Sequence, residues 1–271
     1  MKTLPNYPLC LVLWLIDRWA FGHGPHGRPQ YGRVRSLSPR LIIKSGILEG
    51  TNEAEVIRYV KKRTTIPLPQ IVASATGVFD HFMVMKAIPG DPLDSVWPKM
   101  TEMQQASVIR QLRGIIAQLR ALPPPNPHAI SGLYGRKCKD ARVATMVPFG
   151  PFKNESEFND FLVKHAQGNF PPDPFLDETR RLMCDNHRIV FTHGDFAPRN
   201  IMVQGDVVVG LIDWEHSGWY PEHWEYCKAH FSPDLNCGKS WIRALDEIMP
   251  YGYAHDLRIE KRLSDLIVGP T

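Results

Sequence analysis

Apolar and polar positions form short extended runs at residues 34–35 and 41–43, switch to helical spacing between residues 52 and 62, and return to extended runs at 71–75 and 81–85. In the helical stretch Ala54, Ile57 and Val60 face one way, while Glu53, Arg58 and Lys61 lie elsewhere. The first two strands bracket a turn predicted from Ser36 to Pro39, and Lys44 stands at the end of the second strand. Ile88-Pro89-Gly90-Asp91-Pro92 then interrupts regular structure, because its two prolines lack backbone donors and restrict the residues before them. It reads as a joint between two lobes.

Beyond the joint, Thr101 with Gln104 makes a capping-box signature. Ile109, Leu112, Ile116 and Leu119 carry a long helix that Pro123-Pro124-Pro125 ends. A Gly/Pro-rich loop covers residues 131–151, followed by a helix capped by Asn154 with Glu157 and carrying Phe158, Phe161, Leu162 and His165 on one side. Asp173-Pro174 opens another helix, predicted to run past Leu182 and Met183 to about His187, where Ile189-Val190-Phe191 turns extended. Ile201-Met202-Val203 and Val207-Val208-Val209, joined by Gln204-Gly205-Asp206, give a hairpin signal. After Asp213 the pattern is helical again, and the chain contains no internal repeat.

A chain of 271 residues can form one large domain, or two small ones sharing a cleft, and bury a full core either way. At 43% hydrophobic and 22% charged it has the composition of a soluble globular protein. Lys and Arg total 32 against 28 Asp and Glu, and they are spread rather than clustered, so the net charge of +4 argues for no nucleic-acid partner. The apolar run at residues 9–16 falls well short of the roughly 20 residues that span a bilayer, so no membrane association is expected. A secretory leader fits poorly, since Trp19 follows the run without a small-x-small cleavage site; the run reads instead as a core element of the first lobe. Cys10, Cys138, Cys184, Cys227 and Cys237 include no Cys-x-x-Cys pair and are odd in number, which points to a reducing, cytoplasmic setting.

The chemistry concentrates in His193-Gly194-Asp195-Phe196-Ala197-Pro198-Arg199-Asn200 and in Leu211-Ile212-Asp213-Trp214. Phosphoryl transfer from ATP needs a cation on the phosphates, a metal bridging them and a group that orients the attacking hydroxyl. Lys44 is the candidate cation, positioned by Glu53, with Glu55 as the alternative partner on another helix face. Asp195 is the candidate base. Asn200 and Asp213 are the candidate Mg²⁺ ligands, since the hairpin between them brings its outer ends together and hard oxygen donors suit that ion. His193 is assigned to organising its loop and Trp214 to the core. Taken singly, a strand-end lysine is usually solvated and an aspartate after an apolar run usually caps a turn; it is their order and element types together that point to one site.

At these residues the chain resembles the aminoglycoside phosphotransferase and choline kinase family, a branch of the protein-kinase-like fold. The motifs are His193-Gly194-Asp195 with Asn200, and Ile212-Asp213-Trp214-Glu215. Arg35 to Lys44, Met83 to Gly90, Gly150-Pro151-Phe152-Lys153 and Gly218-Trp219-Tyr220-Pro221-Glu222 look like fungal members of that family, most of which have no assigned substrate. The resemblance implies an α+β, bilobal fold: a small N-lobe (residues 1–87, with 1–33 as a leader) of antiparallel sheet plus one helix, and a larger, mainly helical C-lobe (88–271). It implies ATP between them, with Lys86 and Ile88 offering backbone groups to the adenine and Met85 packing beneath. A small hydroxyl-bearing molecule is the expected acceptor, because Ala197 stands where serine/threonine kinases carry a lysine and no long activation segment follows Asp213. The stretch 215–225 is then the substrate loop, with Glu215, Glu222 and Glu225 facing a cationic ligand or solvent.

Other readings compete. A Gly-x-Gly-x-x-Gly at Gly22, Gly24 and Gly27 precedes Lys44 as a phosphate-covering loop would, but Pro25 and Pro29 oppose the hairpin it needs; a linker is the plain alternative. A nucleotide-binding, pseudokinase-like module is one functional alternative. A metallohydrolase built on Asp185, His187, His193, Asp195, Asp213 and His216 is another, and it leaves Lys44 unexplained.

Overall fold

The computed structural model describes residues 9, 11–13, 33–47, 52–76, 80–144, 147–168, 173–231 and 237–268. The N-terminal part is a four-stranded antiparallel sheet, β1 (Arg33–Ser38), β2 (Leu41–Ile47), β3 (Ile71–Thr76) and β4 (Asp80–Lys86), in the order β1-β2-β4-β3. Helix α1 (Glu53–Lys61) connects β2 to β3. The alternation of β4 decides what lies on each face: Phe82 and Val84 join Ile43 and Leu13 in a small outer cluster, while Met83 and Met85 enter the main core with Ala54, Ile57 and Val60 of α1. Of the apolar run at residues 9–16, Leu13 is buried in that outer cluster and Leu9 packs against it. Gly22, Gly24 and Gly27 lie outside the described residues.

Two local expectations are corrected here. The first turn falls at Pro39–Arg40 rather than Ser36–Pro39, because β1 continues through an irregularity between Ser36 and Ser38 in which the Ser36 hydroxyl donates to the Ser38 carbonyl at 2.8 Å. Lys44 is not at a strand end. It sits inside β2, opposite Val34 on one side and Met83 on the other. Ser45 and Gly46 carry no hydrophobic signal, so only pairing with β4 extends the strand past them.

The joint remains extended and adds a two-residue strand, β5 (Asp91–Pro92), to the edge of a hairpin formed by β7 (Ile201–Gln204) and β8 (Val207–Leu211). Gly90 permits that approach: its φ is 114° and a Cβ there would meet the Val203 carbonyl at 2.3 Å. The helical part comprises α2 (Glu102–Arg120), α3 (Glu155–Gln167), α4 (Pro174–Leu182), α5 (Trp224–Phe231), α6 (Gly238–Ile248) and α7 (Ala254–Val268). Strand β6 (Ile189–Thr192) pairs with β9 (Gly218–Pro221) and leads directly into His193.

Helix α4 stops at Leu182, five residues before the predicted end. Asn159 of α3 donates to the Cys184 carbonyl (2.8 Å) and to Asp185 (2.7 Å), and Arg180 binds Asp185 at 2.9 Å, so residues 184–185 are drawn out of helical conformation. The segment after Asp213 is likewise a turn and strand β9 rather than a helix, since Gly218 and Pro221 are weak helix residues and β6 supplies an edge to pair with. Among the described residues no helix is long and apolar enough to cross a membrane.

Helix α2 begins with the full capping box: Thr101 accepts the Gln104 N–H, and the Gln104 side chain accepts the Thr101 N–H at 2.9 Å. Thr101→Ala is expected to cost about 1 kcal/mol. Urea unfolding would show a lowered midpoint at unchanged m-value; an unmoved midpoint would mean that the cap contributes nothing to the fold.

Candidate active site

Strand alternation turns Ile43 toward the outer cluster and Lys44 toward α1. Asn52 caps α1 by accepting the Glu55 N–H, and this places Glu53 at the first helical position, where the helix dipole favours an anion. Lys44 Nζ lies 2.8 Å from Glu53 Oε2 and 2.7 Å from Asp213 Oδ1. The other Glu53 oxygen accepts the Trp214 N–H at 3.2 Å. Burial by itself would lower the Lys44 pKa, but Glu53 and Asp213 outweigh it and hold the ammonium well above the usual lysine range. Burial also opposes the charge on Asp213, and Lys44 overcomes it, leaving that carboxyl below the usual range. Asp213 has φ 66°, a left-handed conformation that aspartate tolerates better than most side chains.

The second half of the site is the loop after β6. His193 is buried, and desolvation lowers its pKa to about 4, so it is neutral at physiological pH. Its Nδ1 accepts the Asp195 N–H (3.2 Å) and its Nε2–H donates to the Ile212 carbonyl (3.0 Å), tying the loop to the residue before Asp213. Gly194 has φ 84°, and a Cβ there would lie 2.3 Å from the His216 carbonyl oxygen. Asn200 Nδ2 donates to Asp195 Oδ2 at 2.7 Å and to the Asp195 carbonyl at 2.9 Å. This orients Asn200 Oδ1, which has no hydrogen-bond partner among the described residues, as an available oxygen donor. Ile201 pairs with Leu211 and the Ile212 N–H donates to the Asn200 carbonyl at 2.9 Å, so Asn200 and the residue preceding Asp213 meet at the mouth of the β7–β8 hairpin.

The structure therefore brings Lys44, Glu53 and Asp213 into direct contact and places Asp195 beside Asn200. Glu55, the alternative partner for Lys44, instead binds Arg136 at 2.7 Å. Met85 is buried beneath the joint, and the Ile88 side chain fills the space left by Gly210. The Lys86 N–H is taken by the Gln70 carbonyl at 2.9 Å, whereas the Ile88 N–H makes no backbone hydrogen bond among the described residues.

Glu215, Glu222 and Glu225 do not face an open substrate loop. Glu215 binds Lys139 at 2.8 Å, and Glu222 lies 3.8 Å from Arg120 and 3.5 Å from Arg188. Glu225 is buried and accepts the N–H groups of His193 (2.5 Å) and Gly194 (3.0 Å). It thus fixes the backbone from which Asp195 projects, a role that residue type alone does not signal. Residue type alone does not signal Arg199 either: its guanidinium donates to both Asp195 oxygens, at 2.7 and 2.8 Å. Its i+4 spacing from Asp195 across a 3₁₀ turn was the available clue. Among the described residues, the donor cluster with metal-binding spacing is Glu155, His187 and His223, which shares only His187 with the six residues of the hydrolase reading.

Residues 47–251 match the model of the phosphotransferase enzyme family. An aminoglycoside 3'-phosphotransferase of Streptomyces fradiae is 23% identical over 205 residues, covering 74% of this chain and 69% of the relative. Among solved structures, a thermostable mutant of aminoglycoside phosphotransferase APH(4)-Ia, in ternary complex with ADP and hygromycin B, superposes with a TM-score of 0.63 at 14% identity, covering 94% of this chain and 88% of that one. ADP-bound aminoglycoside phosphotransferase APH(2'')-Ib gives a TM-score of 0.60 at 11% identity, with 95% and 90% covered. The protein-kinase-like fold of these enzymes, with an N-terminal antiparallel sheet and a mainly helical C-terminal part, is the fold of this chain.

Burial raises the Glu225 pKa to about 7, against the opposing pull of the His193 and Gly194 amides. A carboxyl whose folded pKa exceeds its unfolded value stabilises the protein below the unfolded pKa and loses that contribution as pH rises through the folded one. The stability of the wild type relative to Glu225→Gln should accordingly fall between about pH 4.5 and pH 7 and level off above. Thermal midpoints across this range test it. A difference independent of pH would show that Glu225 does not titrate there.

Proposed function

The chain belongs to the phosphotransferase enzyme family, and on that premise we propose that it moves the γ-phosphoryl group of ATP to a hydroxyl of a small molecule. The observation that carries this reading is the convergence on Lys44 of carboxylates from α1 and from the end of the β7–β8 hairpin, with Asp195 and Asn200 at the same hairpin mouth. The fold neighbours crystallised with ADP, and with ADP and hygromycin B, support a nucleotide and a hydroxyl-bearing acceptor as its two ligands.

In this reading Asp195 orients the acceptor hydroxyl and takes its proton as the new P–O bond forms and the bond from the γ-phosphorus to the bridging oxygen breaks, releasing ADP. Lys44, held by Glu53, contacts the phosphates. Asn200 Oδ1 and the partly exposed Asp213 carboxylate suit a hard cation and would hold Mg²⁺. The ion would offset phosphate charge when bound. Arg199 keeps Asp195 paired at rest. The neutral, doubly bonded His193 has no part in proton transfer and holds the loop instead. The adenine is assigned to the Lys86 carbonyl and the Ile88 N–H above Met85, with the lobe boundary between residues 87 and 88. The protein is assigned to a reducing, cytoplasmic setting.

Asp195→Ala should lower turnover on the order of 10² to 10⁴-fold with ATP affinity nearly unchanged, because base assistance acts in the transition state. Mg²⁺-ATP consumption measured across a panel of hydroxylated and aminated metabolites tests it. Undiminished turnover in the variant would refute the assignment, and tight nucleotide binding without turnover in the wild type would favour a binding module.

Asp213→Ala should remove the Mg²⁺ dependence of ATP binding. Calorimetric titrations with and without the ion would reveal it; ATP binding that stays Mg²⁺-dependent would place the ion elsewhere.

A further inference from the structure

A second group of donors lies within the helical part, away from Lys44 and Asp195. Glu155 opens α3, His187 precedes β6, and His223 lies between β9 and α5. Glu155 and His223 are almost fully buried, at 2% and 5% exposure. Glu155 Oε1 is 2.7 Å from His187 Nδ1 and 4.0 Å from His223 Nδ1, and one donor atom from each residue lies within 4.8 Å of the others. His223 Nδ1 is buried with no hydrogen-bond partner.

The opposite ring nitrogens both face carboxylates. His187 Nε2 lies 3.5 Å from Asp256 Oδ1, and His223 Nε2 lies 3.8 Å from Glu260 Oε1. A histidine that binds a metal through one nitrogen characteristically donates the other N–H to such a group. Charge points the same way. Three acidic side chains, Glu155, Asp256 and Glu260, surround the two imidazoles, and Arg142 binds Glu260 at 2.8 Å. A void of about 10 Å³, lined in part by His223, Asp256 and Glu260 but by neither Glu155 nor His187, lies beside the His223 ring.

We propose that Glu155, His187 Nδ1 and His223 Nδ1 form a binding site for a divalent cation of the zinc class, with water as the fourth ligand and Asp256 and Glu260 orienting the two imidazoles. Two nitrogens and a carboxylate oxygen suit zinc better than magnesium or calcium. Tetrahedral zinc, at about 2.0–2.1 Å from each donor, spaces its ligands about 3.4 Å apart. The separations of 2.7 and 4.0 Å fall on either side of that value, so small ring shifts would close the site. Without a metal, Glu155 binds His187 through both the ring and the backbone N–H, each at 2.7 Å, and metal binding would replace the ring contact. The ion would join the start of α3 to the approach to β6 and to the β9–α5 corner. Its role is structural, and it does not depend on the proposed phosphotransferase reaction.

The 271-residue chain, dialysed against EDTA and free of nucleotide, would be titrated calorimetrically with zinc chloride, with thermal midpoints recorded in parallel. One zinc per chain with micromolar or tighter affinity, and a raised midpoint, is the expected result. His223→Phe should lose both effects, while Asp213→Asn should keep them and so exclude the nucleotide site. Circular dichroism in EDTA checks that the variants fold; should His223→Phe fail that check, His223→Gln takes its place. A folded wild-type chain that binds no zinc overturns the proposal, as does zinc binding that survives loss of His223.

Discussion

One ammonium group, Lys44 Nζ, closes the site by gathering carboxylates from two distant parts of the chain, Glu53 of α1 and Asp213 beyond β8. A buried lysine without partners would be neutral or would destabilise the fold, and the two carboxylates oppose that cost. Glu53 extends the network by accepting the Trp214 N–H, fixing the backbone next to Asp213. The sheet, the helix and the hairpin mouth are thereby set relative to one another through a few polar atoms. The apolar packing of α1 against the main core holds those atoms in register.

A second polar anchor governs the loop carrying Asp195. Glu225 accepts the His193 and Gly194 amides from below, while the His193 ring reaches across to the Ile212 carbonyl. Gly194 allows this close approach because a side chain would collide with the His216 carbonyl. Asp195 is then held from the side by Asn200 and Arg199. Such preorganisation suits chemistry in which positioning and electrostatics, rather than covalent intermediates, carry the reaction.

Where the sequence could be read and where it could not follows from the range of each signal. The α1 stripe of Ala54, Ile57 and Val60, the capping residues Thr101, Asn154 and Asp173, and the Gly205–Asp206 turn all act within a few residues, and the corresponding elements form as expected. Lys44 within its strand, the early end of α4 and the pairing of β9 depend on partners distant in sequence, and local pattern misplaced all three. Glu222 and Glu225 illustrate the same limit. Both resemble surface acids in sequence, yet one lies by Arg120 and Arg188 and the other is buried under the loop that carries Asp195.

The sequence by itself determined most element types, the family likeness and the candidate residues for phosphoryl chemistry, because residue identity and local periodicity carry that information. Only the tertiary structure decided which acid meets Lys44, which oxygen of Asn200 remains open, that Arg199 covers Asp195, and that Glu155 and His187 lie beside His223. The physical reason is that hydrogen bonds and ion pairs act over a few ångströms. Proximity on that scale, between residues up to 169 positions apart, exists only once the core has packed.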